Sequence, residues 1–235
     1  MAIFIENVLD VYSQGAINAV LTDLDHFIDG KKTAGRSAQQ VKNNLQADKN
    51  CSEIKGATKL IEQALLSHPD FINAAQPQKL AKVMLSRYEE GMEYGPHIDD
   101  AVIEDTRTDL SFTLFLSDPD SYQGGELVIQ QPDGAESIKL AKGSVYVYPT
   151  KYVHYVAPVT EGVRFAAIGW VQSHVRLEEH RQILLNVAVL LKQLPDVTEN
   201  RAIRLQLLQI QSQLQRLWYD LTTLGMTDLT VDNTL

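Results

Sequence analysis

The sequence is poor in the features that define secreted and membrane proteins. It contains a single cysteine, Cys51, so no internal disulfide can form and the thiol is expected to be free in a reducing compartment. No apolar run approaches the roughly 18 residues of a membrane-spanning helix. The N-terminal residues lack the basic segment, apolar run and cleavage site of an export signal. These absences predict a cytoplasmic protein without a membrane segment, and they assign no role to Cys51.

Positive charge is also scarce. The chain has 21 lysines and arginines against 30 aspartates and glutamates, which gives a formal net charge of -9. Nucleic-acid-binding proteins usually neutralise phosphates with a basic patch, so this balance argues against a nucleic-acid partner. The length of 235 residues is sufficient for one sizeable core with an appended helical unit.

The most informative residues present are His97, Asp99 and His154. One residue separates His97 from Asp99, so in an extended strand both side chains leave the same face and can reach one ion. His154 would then come from a distant strand that the fold brings back. Two imidazoles and one carboxylate leave coordination positions open on a metal, which suits non-heme Fe(II) oxygen chemistry. The adjacent Asp100 should point to the opposite face, which favours Asp99 as the ligand.

Arg164 is the second informative residue, because an apolar stretch, residues 165–171, follows it directly. An unpaired buried charge is costly, so an anionic ligand would explain an arginine at this position. A guanidinium binds a carboxylate through two parallel hydrogen bonds, which lysine cannot do. The alternative for an isolated arginine is a surface salt bridge.

Four segments carry a resemblance to a known family: residues 87–99, 109–113, 124–127 and 154–164. They resemble the Fe(II)- and 2-oxoglutarate-dependent dioxygenases, and more narrowly the bacterial PKHD-type hydroxylases. The resemblance implies a double-stranded β-helix and hydroxylation of an unactivated C–H bond with O2, releasing succinate and CO2. It also implies Fe(II) and 2-oxoglutarate as cofactor and cosubstrate, with L-ascorbate as a reductant.

Residue by residue, the resemblance makes His97, Asp99 and His154 the iron ligands and Arg164 the partner of the distal carboxylate of 2-oxoglutarate. Tyr88 stands where relatives often have a tyrosine that contacts this carboxylate, although a buried tyrosine with a satisfied hydroxyl is an alternative reading.

One position departs from the family pattern. Some relatives carry a hydroxyl side chain two residues after the arginine, where this chain has Ala166. A supporting hydroxyl must therefore come from elsewhere. Tyr94, close to the ligand pair, is another candidate.

Periodicity and turn signals predict an α+β fold with a sandwich or jelly-roll core, N-terminal helices and a C-terminal helical hairpin. The resemblance narrows the core to the double-stranded β-helix, a jelly roll. Helical spacing of apolar residues predicts helices over 16–27 and 57–66. Alternating apolar and polar residues predict strands around 110–117 and 145–148. The predicted division is an N-terminal helical part at 1–77, the β-core at 78–176 and a helical extension at 177–235.

The C-terminal extension carries two apolar stripes separated by Pro195. The first contains Ile183, Val187, Leu190 and Leu194; the second contains Ile203, Leu207, Ile210, Leu214, Leu217, Leu221 and Leu224. Their spacing predicts two antiparallel helices. Further apolar residues outside the second stripe favour a subunit interface, so a homo-oligomer formed through these helices is expected, with packing within one chain as the alternative.

Two other functions are consistent with parts of this pattern. A non-redox metal enzyme on a cupin-like barrel would need a His-x-His pair and a glutamate ligand, which are absent around His97. An interaction module working through its helical tail would not need an intact triad. The substrate class stays open between a peptidyl proline or lysine, a free amino acid and a siderophore-like small molecule, because specificity resides in loops. The four remaining histidines, at positions 26, 68, 174 and 180, lack ligand spacing relative to His97.

Overall fold

The computed structural model describes residues 2–33 and 38–221. The chain divides after Ser173 into two compact units. The predicted α+β class, with a jelly-roll core and helices on either side of it in the sequence, is confirmed. The predicted boundaries at 77 and 176 stay a prediction.

Sixteen strands lie in the described residues, in chain order: β1 (Ile3–Ile5), β2 (Phe27–Asp29), β3 (Lys42–Asn43), β4 (Leu45–Ala47), β5 (Pro77–Tyr88), β6 (Glu93–His97), β7 (Val102–Ile103), β8 (Thr106–Arg107), β9 (Leu110–Phe115), β10 (Tyr122–Gly124), β11 (Leu127–Gln131), β12 (Gly134–Ile138), β13 (Val145–Pro149), β14 (His154–Val156), β15 (Val159–Gly162) and β16 (Arg164–Ser173). Five α-helices are described: α1 (Val11–Leu21), α2 (Ser52–Ser67), α3 (Pro69–Ala75), α4 (Glu178–Gln193) and α5 (Arg201–Trp218).

Two antiparallel sheets form the β-core. The larger has the order β1-β13-β9-β16-β5-β4-β2, and the smaller has the order β12-β11-β14-β6-β3. Side chains from both sheets meet in one buried cluster, with Phe115, Tyr146 and Tyr148 from the larger sheet and Leu127, Ile129 and Ile138 from the smaller. Burial of each such side chain stabilises the fold by about 1.5–3 kcal/mol, so the two sheets are held face to face.

Along β9 and β13, successive side chains point to opposite faces of the larger sheet. Phe112 on β9 packs edge-on against Phe71 of α3, with ring centroids 6.2 Å apart. The opposite face of β9 carries Ser111 and Thr113, and both line a cavity between the sheets. This polar inner face explains why the predicted strand alternates although all of its residues are buried.

The N-terminal helices differ in part from the prediction. Helix α1 begins at Val11 rather than near residue 16, because the Asp10 side chain accepts a hydrogen bond from the Ser13 backbone N–H at 2.7 Å and caps the helix there. It ends at Leu21, and Phe27 lies in a strand. The predicted helix over 16–27 was therefore wrong in its bounds. Helix α2 contains the predicted segment 57–66.

The N-terminal part also contributes four short strands, which helical periodicity did not predict. Strand β1 pairs with β13, and β4 pairs with β5. These strands have two or three residues each, which is too short for an alternation pattern.

The second unit contains the predicted hairpin. His180, near the start of α4, stacks on Trp218, at the end of α5, with ring centroids 4.0 Å apart, so the helices run antiparallel. The buried face of α4 is Leu184, Val187 and Ala188. Ile183 and Leu190, which were predicted on that stripe, are exposed. On α5 no residue is buried, and Leu224 of the predicted stripe lies outside the described residues.

Within residues 2–33 and 38–221, no helix combines the length and the apolar character that a membrane span requires.

Candidate active site

His97, Asp99 and His154 meet where β6 and β14 pair. His154, the first residue of β14, lies directly opposite His97, the last residue of β6. Ile98 is exposed, so His97 and Asp99 on either side of it turn inward together. The Nε2 atom of His97 lies 3.8 Å from Asp99 Oδ1, and that of His154 lies 3.6 Å from Asp99 Oδ2. One ligand atom from each of the three residues lies within 4.8 Å of the other two, close enough to surround one ion.

A bulge in β6 shapes this site. Val156 pairs with Tyr94 and His154 with His97, so three steps along β6 correspond to two along β14. In a regular strand Tyr94 and His97 would point to opposite faces, because their separation is odd. The extra residue places them on one face, and their rings stack with centroids 3.7 Å apart.

Backbone carbonyls orient both histidines. His97 Nδ1 lies 2.9 Å from the carbonyl oxygen of Gly95, and His154 Nδ1 lies 3.1 Å from that of Tyr152. A carbonyl oxygen only accepts, so each Nδ1 donates, and Nε2 is the nitrogen that can bind a metal when the ring is neutral. Burial, and next the neighbouring His154, lower the pKa of His97 to about 4. His97 is therefore neutral at pH 7, as a metal ligand must be.

Hydroxyl groups hold the carboxylate. Ser111 Oγ donates to Asp99 Oδ2 at 2.8 Å and lies 3.1 Å from Thr150 Oγ1. Because Ser111 uses its proton toward Asp99, Thr150 donates to Ser111. These two hydrogen bonds, formed on the inner face of the larger sheet, fix the rotamer of Asp99. Asp100 is exposed, as the strand argument requires.

One cavity is lined by both the triad and Arg164. Its walls include Tyr88, Tyr148 and Trp170. Tyr148 contacts the His154 ring edge-on with centroids 5.1 Å apart. Burial, and next the Asp99 charge, raise the pKa of Tyr148 well above its usual value, so this wall stays uncharged.

Arg164 is buried, and no described carboxylate pairs with it. It is the first residue of β16, only 1% of it is exposed, and its Nε and Nη2 atoms have no hydrogen-bond partner among the described residues. A buried donor without a partner costs about 1–3 kcal/mol, and more when it is charged. The Arg164 guanidinium lies over the Tyr88 and Phe115 rings, 5.2 and 5.6 Å from their centroids, which supplies attraction but no acceptor. This environment has the charge and the free donors to bind a carboxylate.

Two tyrosines adjoin the guanidinium. Tyr88, the last residue of β5, is paired across the sheet with Arg164, and burial raises its pKa. Tyr122 is also buried, and its hydroxyl has no hydrogen-bond partner within hydrogen-bonding geometry in the described part of the chain. Burial raises the pKa of Tyr122, while the nearby Arg164 charge opposes that rise. Some relatives carry a hydroxyl side chain two residues after the arginine, where this chain has Ala166. The Tyr122 hydroxyl is the group best placed to replace it.

Gly124 and Gly125 allow the backbone to pass close to the Arg164 and Tyr122 side chains. Gly125 has φ +66°, and a Cβ there would come within 3.0 Å of Arg164 Cδ and 3.1 Å of the Tyr122 ring. A side chain at this position would be strained and would also push Tyr122 and Arg164 out of place. Glycine is thus required where the backbone passes beside the guanidinium.

Sequence reasoning missed Ser111, Tyr122, Tyr148 and the unpartnered indole N–H of the cavity-lining Trp170. Ser111 lies within a segment that carries the resemblance, and its position on the polar face of β9 was the available signal. Tyr122 offered none, because its approach to Arg164 depends on the pairing of β10 with β15.

The residues present fit Fe(II) and 2-oxoglutarate. The donor set of two imidazoles and one carboxylate is that of non-heme iron oxygenases. The unpartnered Arg164 donors, in the same cavity, fit the distal carboxylate of the cosubstrate.

Comparison with known proteins gives the class first. Residues 83–172 match the family model of the 2OG-Fe(II) oxygenase superfamily. The fold is similar to a prolyl hydroxylase from Trichoplax adhaerens solved in complex with a hypoxia inducible factor peptide fragment. That likeness has a TM-score of 0.53 at 16% identity, and it covers 78% of this chain and 86% of the other. The chain is thus a 2-oxoglutarate-dependent dioxygenase with a sheet-rich core.

Closer relatives give the family. A PKHD-type hydroxylase from Parvibaculum lavamentivorans is 44% identical over 218 residues, 93% of this chain and 99% of that protein. Another from Maricaulis maris is 50% identical over 161 residues, 68% of this chain and 73% of that protein. The chain therefore belongs to the PKHD-type hydroxylase family.

Proposed function

We propose that His97, Asp99 and His154 bind the Fe(II) of this hydroxylase, and that Arg164 binds the distal carboxylate of 2-oxoglutarate with Tyr88 beside it. One observation carries the proposal: a buried, unpaired guanidinium shares a cavity with a triad whose two histidines present free Nε2 atoms. We also propose that the Tyr122 hydroxyl shares this carboxylate.

The residues of this chain bind and orient the iron and the cosubstrate. Bound iron and 2-oxoglutarate supply the oxidising chemistry, in which O2 and 2-oxoglutarate are converted to succinate and CO2 while one oxygen atom enters a substrate C–H bond. Ser111 holds Asp99 in place, and the Gly95 and Tyr152 carbonyls hold the histidine rings. The walls Tyr148 and Tyr94 exclude water from the ligand atoms, which strengthens the electrostatic interactions inside the site.

The substrate is proposed as either a small molecule or a peptidyl side chain, and either would enter over the cavity that holds the cosubstrate. Of these two, a small molecule is proposed. The excess of acidic residues argues against a nucleic-acid substrate. L-Ascorbate is proposed as the reductant that maintains ferrous iron. A cytoplasmic location is proposed from the single cysteine, Cys51, which is free.

Turnover without the primary substrate tests the function. Protein loaded anaerobically with Fe(II) and given 2-oxoglutarate and O2 is expected to form succinate and CO2 in equal amounts, and added ascorbate is expected to increase the number of turnovers. Heat-treated protein with the same iron is the control for free-metal chemistry. A non-redox metal enzyme would produce no succinate above this control, and that outcome would contradict the proposal.

A second copy of the chain is proposed as the partner of the C-terminal helices. Leu205, Leu208 and Leu217 on α5 are 66%, 48% and 75% exposed. A helix with no buried residue and this many exposed leucines is unusual for a monomer.

Sedimentation tests this interface. Leu214→Glu combined with Leu217→Glu is expected to dissociate the oligomer, because each leucine removed from an interface forfeits about 1.5–3 kcal/mol of burial. Gln209→Glu with Gln213→Glu adds the same charge on the same helix and should leave assembly intact. Metal binding should be unchanged in both proteins. A wild-type chain that sediments as a monomer at micromolar concentration would remove the interface.

A further inference from the structure

A second group of metal-ligating side chains lies in the first unit. His26, Cys51 and Glu53 each offer one ligand atom, and these atoms lie within 4.8 Å of one another. Within residues 2–33 and 38–221, this group and the triad are the two sets of three histidine, cysteine or carboxylate ligands that converge in this way. The two sets share no residue.

The backbone that carries this group is well defined. His26 ends a 3-10 helix, Leu24–His26, and leads into β2, while Cys51 is the N-cap of α2. Strands β2 and β4 pair, and the Asp48 N–H extends that ladder by donating to the His26 carbonyl at 2.8 Å. The Cys51 N–H donates in turn to the Asp48 carbonyl at 3.1 Å. Consecutive hydrogen bonds thus hold the two ligand-bearing segments side by side.

His26 is oriented in the same way as the two histidines of the triad. Its Nδ1 lies 2.9 Å from the Val20 carbonyl oxygen, so Nδ1 donates and Nε2 is left for another partner. Asp23 Oδ2 lies 3.7 Å from this Nε2. A second carboxylate therefore lies near the ring nitrogen that could bind a cation.

The thiol and Glu53 complete the set. Cys51 Sγ lies 2.9 Å from Glu53 Oε2, which also accepts from Ser52 Oγ at 2.7 Å. The Glu53 carboxylate thus lies directly beside the thiol, with its other oxygen free of these two hydrogen bonds. Sulfur, imidazole nitrogen and carboxylate oxygen are all ligands that Zn²⁺ accepts.

We propose that His26 Nε2, Cys51 Sγ and a Glu53 carboxylate oxygen form a second metal site, for a thiol-binding divalent ion of the Zn²⁺ class, with Asp23 or water as fourth ligand. Metal–ligand bonds of about 2.0–2.3 Å in a tetrahedral site place ligand atoms roughly 3.3–3.8 Å apart. The observed spread requires only side-chain adjustment to reach this geometry. Binding removes the thiol proton.

The ion would have a structural role. It would link the 3-10 helix before β2 to the first turn of α2, and so fasten the β2–β4 end of the larger sheet to the helix beside it. Strand β4 pairs with β5, which carries Tyr88 at its end. The sulfur ligand distinguishes this site from the triad, which offers only nitrogen and oxygen.

Cobalt(II) provides a selective test, because Cys51 is the only cysteine in the chain. Reduced protein titrated with Co(II) under anaerobic conditions is expected to show thiolate-to-cobalt charge-transfer absorption, which nitrogen and oxygen ligands cannot give. The intensity should saturate at one Co(II) per chain bound through sulfur, and total binding should reach two Co(II) per chain. Zn(II) should displace the absorption.

Variants separate the site from chance thiol binding. Cys51→Ser should abolish the absorption, and His26→Ala should weaken Co(II) binding at this site by at least about tenfold, while His68→Ala should change neither. In the His154→Ala background, where the triad is broken, Zn(II) should still raise Tm, and it should not do so when Cys51→Ser is added. Absence of the absorption in wild-type protein, or an absorption unaffected by His26→Ala, would overturn the proposal. Succinate formation tests the triad alone, so the two proposals fail separately.

Discussion

His154→Ala is expected to abolish succinate formation and to weaken Fe(II) binding by more than about 100-fold, since loss of even an outer partner of a metal ligand commonly costs 10–100-fold. The residual pair, His97 and Asp99, would hold the ion through two side chains and leave it exposed to exchange. Anaerobic Fe(II) titration and a succinate assay measure the two effects.

The control for this substitution is His180→Ala, which removes a histidine in the second unit that stacks on Trp218. It should leave iron binding and turnover at wild-type values. Ser111→Ala should have an intermediate effect on iron binding, because it removes the hydrogen bond to Asp99 but keeps all three proposed ligands. If His154→Ala retained full iron occupancy under limiting Fe(II), the assignment of the triad would be wrong.

Arg164→Ala is expected to raise the 2-oxoglutarate concentration for half-maximal turnover by about 100- to 1000-fold, as removal of one partner from a buried charge pair costs about 2–5 kcal/mol. Iron affinity should stay close to wild type, since Arg164 is proposed to contact only the distal carboxylate. Arg164→Lys should rescue in part, because lysine restores charge without the two-pronged donor geometry. Saturation kinetics and isothermal titration with 2-oxoglutarate measure these values.

Tyr122→Phe serves as the matched neighbour in the same experiment. It keeps the buried ring beside Gly125 and removes one hydroxyl, so a loss of about 1.5–3 kcal/mol is expected if that hydroxyl donates to the carboxylate. Arg164→Ala protein with unchanged 2-oxoglutarate affinity would exclude Arg164 as the anchor. If only Tyr122→Phe left the affinity unchanged, Tyr88 and not Tyr122 would be the tyrosine that assists Arg164.

Part of this architecture could be predicted because it is encoded locally. The inward face shared by His97 and Asp99 follows from strand geometry, and it survives although Asp99 lies just beyond the end of β6. Helix α4 ends at Gln193, close to Pro195 as predicted, but α5 ends at Trp218, before Leu221 of the predicted stripe. The sequence showed that polar residues alternate with apolar ones along β9. It did not show that the polar residues face a cavity and not solvent.

The remaining features depend on contacts between segments far apart in the sequence. The Ser111 bond to Asp99 and the approach of Tyr122 to Arg164 arise from strand pairing and from two glycines with positive φ. The convergence of His26 with Cys51 depends on the β2–β4 ladder, whose strands are too short to leave a periodic signal. The exposed positions on α4 differ from the predicted stripe, because periodicity gives the spacing of a buried face but not its rotation.

The bulge between Tyr94 and His97 would make the proposed metal binding depend on correct folding. The ligand pair exists in one alignment of β6 with β14, and a slip by one residue would turn every side chain of one strand to the other face. A chain that pairs these strands wrongly would bury Tyr155 where His154 belongs and would leave the ion with two ligands. Iron would then stabilise only the native alignment, so the metal that serves the reaction would also select, during folding, the single register in which the enzyme can work.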